Sequence, residues 1–465
     1  MRTLLLLLFL FVVNPANAQD VKWEGNSYNL NHGKLKVSEN RRFLQFEDGT
    51  PFFYLGCTAW ELFHRLNIEE AERYLENRRE KGFTVIQAVA LGELDGISTP
   101  NANGDKPFVN NDQTKPENKY WEHVDNIIKL AENKGLFVGL LPTWGDKVDK
   151  QWGLGPEIFT EKSAFAYGQW IGNRYKEFSN IIWINGGDRD CGGENTLIWN
   201  ALAEGIKSVD KNHLMSFHPW GGTSSSACFQ DSWWLDFNML QSGHGERFAA
   251  NYSMIHSDYM KTPVKPCMDA EPCYEDHPVN WDPKNGWFDD FDVRRAAYLA
   301  VFSGAHGHTY GAHPIWQMKK SSNQPVGGAR HNWDEVLDLP GAWDMIHLRR
   351  LMMSRPYFSR VPDNSLIKSE QSGIVNPVVS CRGDGYAFIY LPANRGAVVD
   401  LSALKSESVN AWWYCPRTGK ATRIIGGESK GNKYFSVPVP GIDWVLVLDD
   451  ASKDFPAPGQ AIIIK

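Results

Sequence analysis

The chain has 465 residues, a formal net charge of −7 and 13% aromatic residues, among them 19 tryptophans. Its 48 basic and 55 acidic residues are scattered without runs, which argues against nucleic acid or an anionic membrane as the main partner. The length is too great for one ordinary core and predicts two domains.

Residues 1–18 are typical of a secretory signal peptide. A basic residue at position 2 precedes an apolar run over residues 4–13, and a small-residue site follows at residues 16–18. The apolar run is much shorter than the roughly 20 residues that cross a bilayer, and no later stretch of the sequence is long and apolar enough to do so. We therefore expect a secreted or periplasmic protein without a membrane span.

From residue 52 to about residue 313, short apolar runs alternate with amphipathic helical stretches, as in parallel strands joined by helices. Two clear helices are predicted to end at Gly82 and Gly135. Eight strands are predicted, at residues 52–59, 83–91, 136–142, 181–186, 214–218, 237–241, 264–270 and 305–310. They predict an α/β fold, a (β/α)8 TIM barrel over residues 19–362. No glycine-rich nucleotide loop follows an early strand, so no cofactor is indicated.

After residue 362 the pattern changes to short alternating runs separated by glycine, proline and asparagine. This pattern predicts a smaller all-β sandwich domain over residues 363–465. No catalytic pairing is evident in it, so we interpret it as an accessory domain.

The seven cysteines of the chain lack C-x-x-C spacing, which disfavours a metal knuckle. Cys381 and Cys415 either pair inside this domain or remain buried thiols.

Two carboxylates stand at the ends of predicted strands four and seven. Asp188 closes the run NIIWINGGD, and Glu271 closes the run VKPCMDAE. Side chains at the C-terminal ends of barrel strands share one mouth, and glycoside hydrolysis needs two carboxyl groups there, one acid and one nucleophile. Alone, Asp188 also fits a turn or a helix N-cap, and Glu271 also fits a buried ion pair. The hypothesis therefore depends on the pair.

Other polar and aromatic residues near predicted strand ends are candidate sugar contacts. These are Trp60, Gln87, Trp144, Asn185, His218, Gln241, Tyr274, His308, Tyr310 and Trp316.

We predict no metal, because the run of His306, His308 and His313 needs a further ligand from elsewhere and fits a sugar-binding or core role better. A serine hydrolase is disfavoured because the sequence has no G-x-S-x-G elbow.

Five stretches resemble the barrel of glycoside hydrolases of family 140, at residues 51–66, 82–91, 183–188, 271–275 and 304–318. The resemblance covers most of residues 25–360. The C-terminal stretch resembles the modules labelled as collagen-binding that often follow this barrel. The resemblance implies a retaining exo-glycosidase of the apiosidase type that acts on the pectic polysaccharide rhamnogalacturonan II. It also implies that Asp188 is the acid/base and Glu271 the nucleophile.

Two alternative functions stay open. One is a different retaining glycosidase, such as an arabinofuranosidase or an endo-β-glycanase. Pocket shape distinguishes these enzymes, because an exo-enzyme has a closed pocket and an endo-enzyme an open cleft. The other is a non-catalytic carbohydrate-binding protein, which predicts that the two carboxylates do not point into one pocket. In each case the partner is an oligosaccharide or polysaccharide. A retaining enzyme is expected to hold its two carboxyl groups about 5 to 5.5 Å apart.

Overall fold

A computed structural model describes residues 21–370, 373 and 375–461. The predicted signal peptide lies outside these residues. Eight parallel strands form the main sheet: β1 Tyr54–Thr58, β2 Val85–Val89, β3 Phe137–Leu141, β4 Ile181–Arg189, β5 Met215–Pro219, β6 Asn238–Gln241, β7 Cys267–Asp269 and β8 Gly307–Tyr310. Each overlaps a predicted strand, so the predicted TIM barrel is confirmed.

The strands follow the order β5-β4-β3-β2-β1-β8-β7-β6, and a short antiparallel strand, Thr223–Ser224, pairs with β6. The barrel closes between β5 and β6 through two hydrogen bonds. The Asp236 N–H donates to the Met215 carbonyl oxygen at 2.8 Å. The Ser216 hydroxyl donates to the Phe237 carbonyl oxygen at 2.7 Å. The strands therefore form a closed barrel with one mouth at their C-terminal ends.

Helices connect the strands around the outside of the barrel: Leu62–Arg65, Ile68–Glu80, Asn118–Asn133, Glu161–Tyr175, Asn195–Val209, Ser226–Phe229, Asn251–Tyr259, Asp290–Phe302, His313–Trp316 and Pro340–Met352. The second helix after β1, Ile68–Glu80, begins with a capping box. The Asn67 side chain accepts a hydrogen bond from the Glu70 N–H, and the Glu70 side chain accepts one from the Asn67 N–H. Gly82 and Gly135 follow the two predicted helices with φ values of 76° and 67°, where glycine is favoured. None of the helices in the described part of the chain has the length and apolarity to cross a membrane.

A small antiparallel sheet of Leu35–Val37, Leu44–Phe46 and Pro51–Phe52 closes the opposite end of the barrel. Phe46 and Phe52 place their rings 6.0 and 5.1 Å from that of Phe137 at the start of β3. The sequence had suggested a single strand over residues 52–59. The structure divides it into Pro51–Phe52 and β1. Because this small sheet closes one end of the barrel, only the C-terminal end of the strands is open for a site.

The C-terminal part forms the predicted β-sandwich. A six-stranded antiparallel sheet contains Val361–Pro362, Val379–Gly383, Tyr386–Leu391, Trp444–Asp450, Ser408–Tyr414 and Ala421–Glu428 in this spatial order. The strands Gly396–Asp400 and Asn432–Ser436 pair separately. Apolar side chains from both sheets, such as Ile389, Val399 and Phe435, share one buried core.

The sandwich packs against the barrel helix Asp290–Phe302. The Tyr298 ring stacks on that of Tyr390 at 5.1 Å. Arg294, which is 2% exposed, contacts Asp443 at 2.8 Å and Asp344 at 2.6 Å. A buried ion pair contributes little net stability but is costly to break on one side, so these contacts fix how the sandwich sits on the barrel.

A disulfide joins Cys191, in the loop after β4, to Cys228, in the short helix after β5. Cys381 and Cys415 are buried free thiols, which was the second of the two predicted alternatives. These two cysteines cannot form a disulfide. Two other strands lie between the strand of Cys381 and the strand that ends next to Cys415. Three strand spacings amount to about 14 Å, which is beyond the reach of a disulfide.

Candidate active site

The mouth of the barrel contains a cavity of about 410 Å³, here called the central cavity. Asp188 and Glu271 both line it. The other lining residues are Trp60, Glu93, Leu94, Trp144, Trp152, Gly153, Leu154, His244, Tyr274, Trp281, Trp316 and Val326. The two carboxylates thus share one pocket, which is the arrangement that distinguishes a glycosidase from a purely sugar-binding barrel.

The end of β4 is bent so that it presents Asp188. Three consecutive residues have positive φ values: Gly186 at 90°, Gly187 at 121° and Asp188 at 57°. The strand register with β5 shifts between Gly186 and Arg189, as at a β-bulge. A Cβ on Gly186 would lie 2.4 Å from the His218 carbonyl oxygen, and one on Gly187 2.9 Å from the Trp144 ring. Both positions therefore require glycine.

Of the two carboxyl groups, Asp188 is the one that keeps its proton to the higher pH. Burial raises its pKa to about 6, and the nearby Glu271 carboxylate adds to that increase. His218, Gln241 and Arg189 act in the opposite direction but do not cancel it. A substantial fraction of Asp188 is therefore protonated near pH 6 and can donate a proton.

Glu271 lies just beyond β7 and is 6% exposed. Its backbone carbonyl accepts the Gly243 N–H at 2.9 Å. Its side chain lies between two histidines. His244 Nε2 is 3.1 Å from Oε1, and His218 Nε2 is 3.1 Å from Oε2. Both carboxylate oxygens are therefore contacted by histidines, one at the end of β5 and one just after β6.

The two histidines make Glu271 the stronger acid of the pair. Burial alone would raise its pKa, but interactions with His218 and His244 outweigh burial and hold the pKa at about 2. Glu271 is thus ionised at a pH where Asp188 still carries a proton. Two carboxyl groups whose environments separate their pKa values in this way are suited to act as acid and nucleophile.

Aromatic rings hold the histidines in place. The rings of Trp60 and Trp144 lie 5.2 and 5.9 Å from that of His218. Tyr274 packs against His244 with ring centroids 4.4 Å apart. Burial and the Glu271 carboxylate raise the pKa of Tyr274 well above its ordinary value, so its hydroxyl stays protonated.

Of the ten predicted sugar contacts, the structure places Trp60, Trp144, Tyr274 and Trp316 on the central cavity. His218 lies directly behind Glu271. Gln241 lines an adjoining groove of about 800 Å³, here called the side groove, which shares Trp152, Asp188, His244, Glu271 and Trp281 with the cavity. Six of the ten predicted residues are therefore brought together around the two carboxylates.

The other four lie outside the cavity. Gln87 points into the barrel below it and donates to the Ala270 carbonyl oxygen and the Thr309 hydroxyl, both at 3.2 Å. Asn185 donates to the Trp199 carbonyl oxygen of the following helix. Tyr310 donates to Glu275 at 2.7 Å. Because Thr309 faces the interior and side chains alternate along a strand, His308 shares the outer face of β8 with Tyr310.

Several cavity residues were not predicted: Glu93, Leu94, Trp152, Leu154, Trp281 and Val326. They come from the loops after β2, β3, β7 and β8. Nothing local in the sequence of the loop after β2 singles out Glu93.

The histidines at 306, 308 and 313 do not form a metal site. His306 packs between Tyr54 and Phe237, whereas His313 packs on His277. Across the residues that the structure describes, the only cluster with metal-ligand spacing is Asp190 with Cys191 and Cys228, and those cysteines are joined in the disulfide.

Replacing His244 with alanine removes one of the two groups that keep Glu271 ionised. We expect the acid limb of the profile of kcat/KM against pH to move upward by about one to two pH units, the scale of one hydrogen bond to a charged group. The matched control is His256→Ala, an exposed histidine on the helix Asn251–Tyr259, which should leave the profile unchanged. An unshifted acid limb in the His244 variant would show that His244 does not set the protonation of Glu271.

Comparisons with known proteins agree with this geometry. Residues 38–359 match the family model described as "Apiosidase-like, catalytic domain". Residues 361–449 match the model described as "Putative collagen-binding domain of a collagenase". No curated protein matches the chain.

Solved structures are similar over almost the whole chain. One named "Glycoside hydrolase" is 38% identical with a TM-score of 0.85, covering 92% of this chain and 99% of that one. A structure from Bacteroides vulgatus, named as a glycoside hydrolase of family 5, is 35% identical with a TM-score of 0.87, covering 93% and 96%. A third from the same organism, at 14% identity and a TM-score of 0.64, shares the fold.

Proposed function

The chain belongs to the apiosidase-like glycoside hydrolases, and from that membership we propose that it is a retaining exo-glycosidase that releases apiose from side chains of the pectic polysaccharide rhamnogalacturonan II. The family model covers residues 38–359, which contain both Asp188 and Glu271. The description of that model supports apiose as the released sugar. The tryptophan-rich wall of the cavity is suited to the apolar face of a sugar ring.

The observation that carries the proposed mechanism is the separation of the pKa values of Asp188 and Glu271. Protonated Asp188 donates to the glycosidic oxygen while ionised Glu271 attacks the anomeric carbon and forms a glycosyl ester. Asp188, now ionised, then takes a proton from water, which attacks the same carbon and releases Glu271. Two inversions give net retention.

The cavity walls support exo action. Leu94, Leu154 and Val326 line the central cavity and also a third cavity of about 630 Å³ beyond it, so these side chains form a partition between the two. On the opposite side, the central cavity continues into the side groove past Trp152 and Trp281. A cavity closed at one end and open at the other accepts a terminal sugar and leaves room for the rest of the chain.

We also propose a secreted or periplasmic location. The signal-peptide pattern of residues 1–18 supports it. The disulfide between Cys191 and Cys228 agrees with it, because disulfides persist mainly in oxidising compartments.

The proposal is tested by incubating the enzyme with purified oligosaccharides from rhamnogalacturonan II, arabinan and β-glucan, and identifying the released sugars by chromatography. We expect apiose as the single early product from the first substrate and none from the others. Release of arabinose would instead identify an arabinofuranosidase, and a ladder of oligosaccharides from β-glucan would identify an endo-acting enzyme. NMR of the anomeric proton in the first minutes checks retention.

A further inference from the structure

Glu93 is a third carboxyl group in the central cavity, and neither catalytic step uses it. It lies just beyond β2, is half-buried, and lines the cavity together with Asp188 and Glu271. Within residues 21–370, 373 and 375–461, no group donates a hydrogen bond to its side chain. Its carboxyl group is therefore accessible to a ligand in the cavity.

The backbone on both sides of Glu93 is held firmly. The Leu94 N–H donates to Glu61 Oε1 at 2.9 Å. The Lys147 ammonium donates to the Gly92 carbonyl oxygen at 2.9 Å. A Cβ on Gly92 would lie 2.9 Å from the Glu61 carboxylate, so a larger residue there would displace the group that holds the Leu94 N–H. The protein therefore fixes the position of Glu93 while leaving its carboxyl group free to meet a ligand.

Neither of the two cations near Glu93 pairs with its carboxyl group. The nearby cation Arg189 donates to the backbone carbonyls of Asp149, Asp188 and Lys150 at 2.6, 2.9 and 2.9 Å. Lys147 contacts both carboxylate oxygens of Asp146 at 2.7 Å. Both cations are thus engaged elsewhere.

The protonation state of Glu93 follows from these surroundings. Burial raises its pKa well above the ordinary value, and the carboxylates of Asp188, Asp146 and Glu61 raise it further, while Arg189 opposes them. A protonated carboxyl group offers one hydroxyl donor and one carbonyl acceptor side by side. This pair of groups matches two neighbouring hydroxyls of a sugar ring.

We propose that Glu93 is a specificity-determining residue that binds a vicinal diol of the sugar held in the central cavity. The inference rests on the proposed function, because it requires a glycosyl residue in that cavity. It assigns Glu93 to recognition of the ring that is released and gives it no part in bond breaking. Glycosides whose terminal sugar lacks one of the two hydroxyls should therefore be poor substrates.

The first test compares Glu93→Ala and Glu93→Gln on 4-nitrophenyl glycosides of β-D-apiofuranose, α-L-arabinofuranose, β-D-xylopyranose and β-D-glucopyranose. On whichever glycoside the wild type hydrolyses fastest, we expect Glu93→Ala to lower kcat/KM by about 10- to 100-fold. Glu93→Gln, whose amide also offers a donor and an acceptor, should stay within several-fold. The control Glu177→Ala, an exposed residue before the start of β4, should not change kcat/KM.

The outcomes separate the two proposals. If the fastest substrate is not the apioside, the proposed sugar is wrong, but the same glycoside still tests Glu93. If Glu93→Ala retains wild-type kcat/KM on that substrate, the specificity role is overturned.

A second test needs no substrate. Because the pKa of Glu93 is raised in the folded protein, the contribution of Glu93 to the free energy of unfolding should fall as pH rises above about 4.3, the pKa of an unfolded glutamate. Glu93→Gln carries no such group, so its Tm should exceed that of the wild type by an amount that grows from pH 4 to pH 8. A Glu93→Gln protein that is less stable than the wild type at pH 8 would mean that Glu93 is a paired structural carboxylate, which overturns the inference.

Discussion

Replacing Glu271 with glutamine is expected to lower kcat by roughly 10⁴-fold or more, the scale on which loss of a catalytic nucleophile acts, while the protein stays folded. Glutamine keeps the size of the side chain and can still contact His218 and His244, but it cannot attack the anomeric carbon. The measurements are steady-state kinetics on the fastest aryl glycoside and thermal unfolding of the same preparation.

Glu275→Gln is the matched control for this substitution. Glu275 is four residues further along, 3% exposed, and accepts hydrogen bonds from the Tyr310 hydroxyl and the Gly341 N–H rather than lining the cavity. Burial raises the pKa of Glu275 to about 8, so it is already neutral near pH 7 and glutamine resembles it closely. We expect this variant to keep near-normal kcat. Near-full activity in Glu271→Gln would remove Glu271 from the nucleophile role.

The two carboxylates were predictable because each depends on a short local pattern and one general rule. An apolar run predicts a buried strand, and the residue just past its C-terminal end lies at the barrel mouth. Asp188 and Glu271 both satisfy that rule, and the two glycines before Asp188 are a visible sign of a bend. The separate environments of the two acids were not predictable, because His218 and His244 come from the ends of other strands.

Two kinds of error in the predicted site have physical causes. Asn185 and Tyr310 were predicted because they lie close to a strand end. Side chains alternate between the two faces of a strand, however, and both of these face the outer helices. Glu93 and Val326 were missed because loops place them. The position of Glu93 depends on a hydrogen bond from Leu94 to Glu61, two residues that lie more than thirty positions apart in the sequence.

The replacement of Asp188 with asparagine is expected to affect kcat/KM according to the leaving group. General acid catalysis contributes about 10²- to 10⁴-fold, so hydrolysis of an oligosaccharide, whose leaving alcohol needs a proton, should fall by that factor. A 2,4-dinitrophenyl glycoside needs no such proton, so its glycosyl-enzyme should still form quickly and then accumulate, because the general base is also missing. Asparagine is the appropriate substitute, since Asp188 has a φ of 57° and asparagine tolerates that backbone region.

The pH profile gives the sharpest form of this second prediction. In the wild type, kcat/KM on an oligosaccharide should fall as pH rises above about 6, because Asp188 loses the proton that it must donate. In Asp188→Asn that fall should disappear, and added azide should accelerate turnover of the dinitrophenyl glycoside and yield a glycosyl azide of retained configuration. The control Asp190→Asn changes an exposed residue two positions away and should keep the wild-type profile. A basic limb that survives unchanged in Asp188→Asn would assign the acid role to another group, and Glu93 would then be the first carboxyl group to examine.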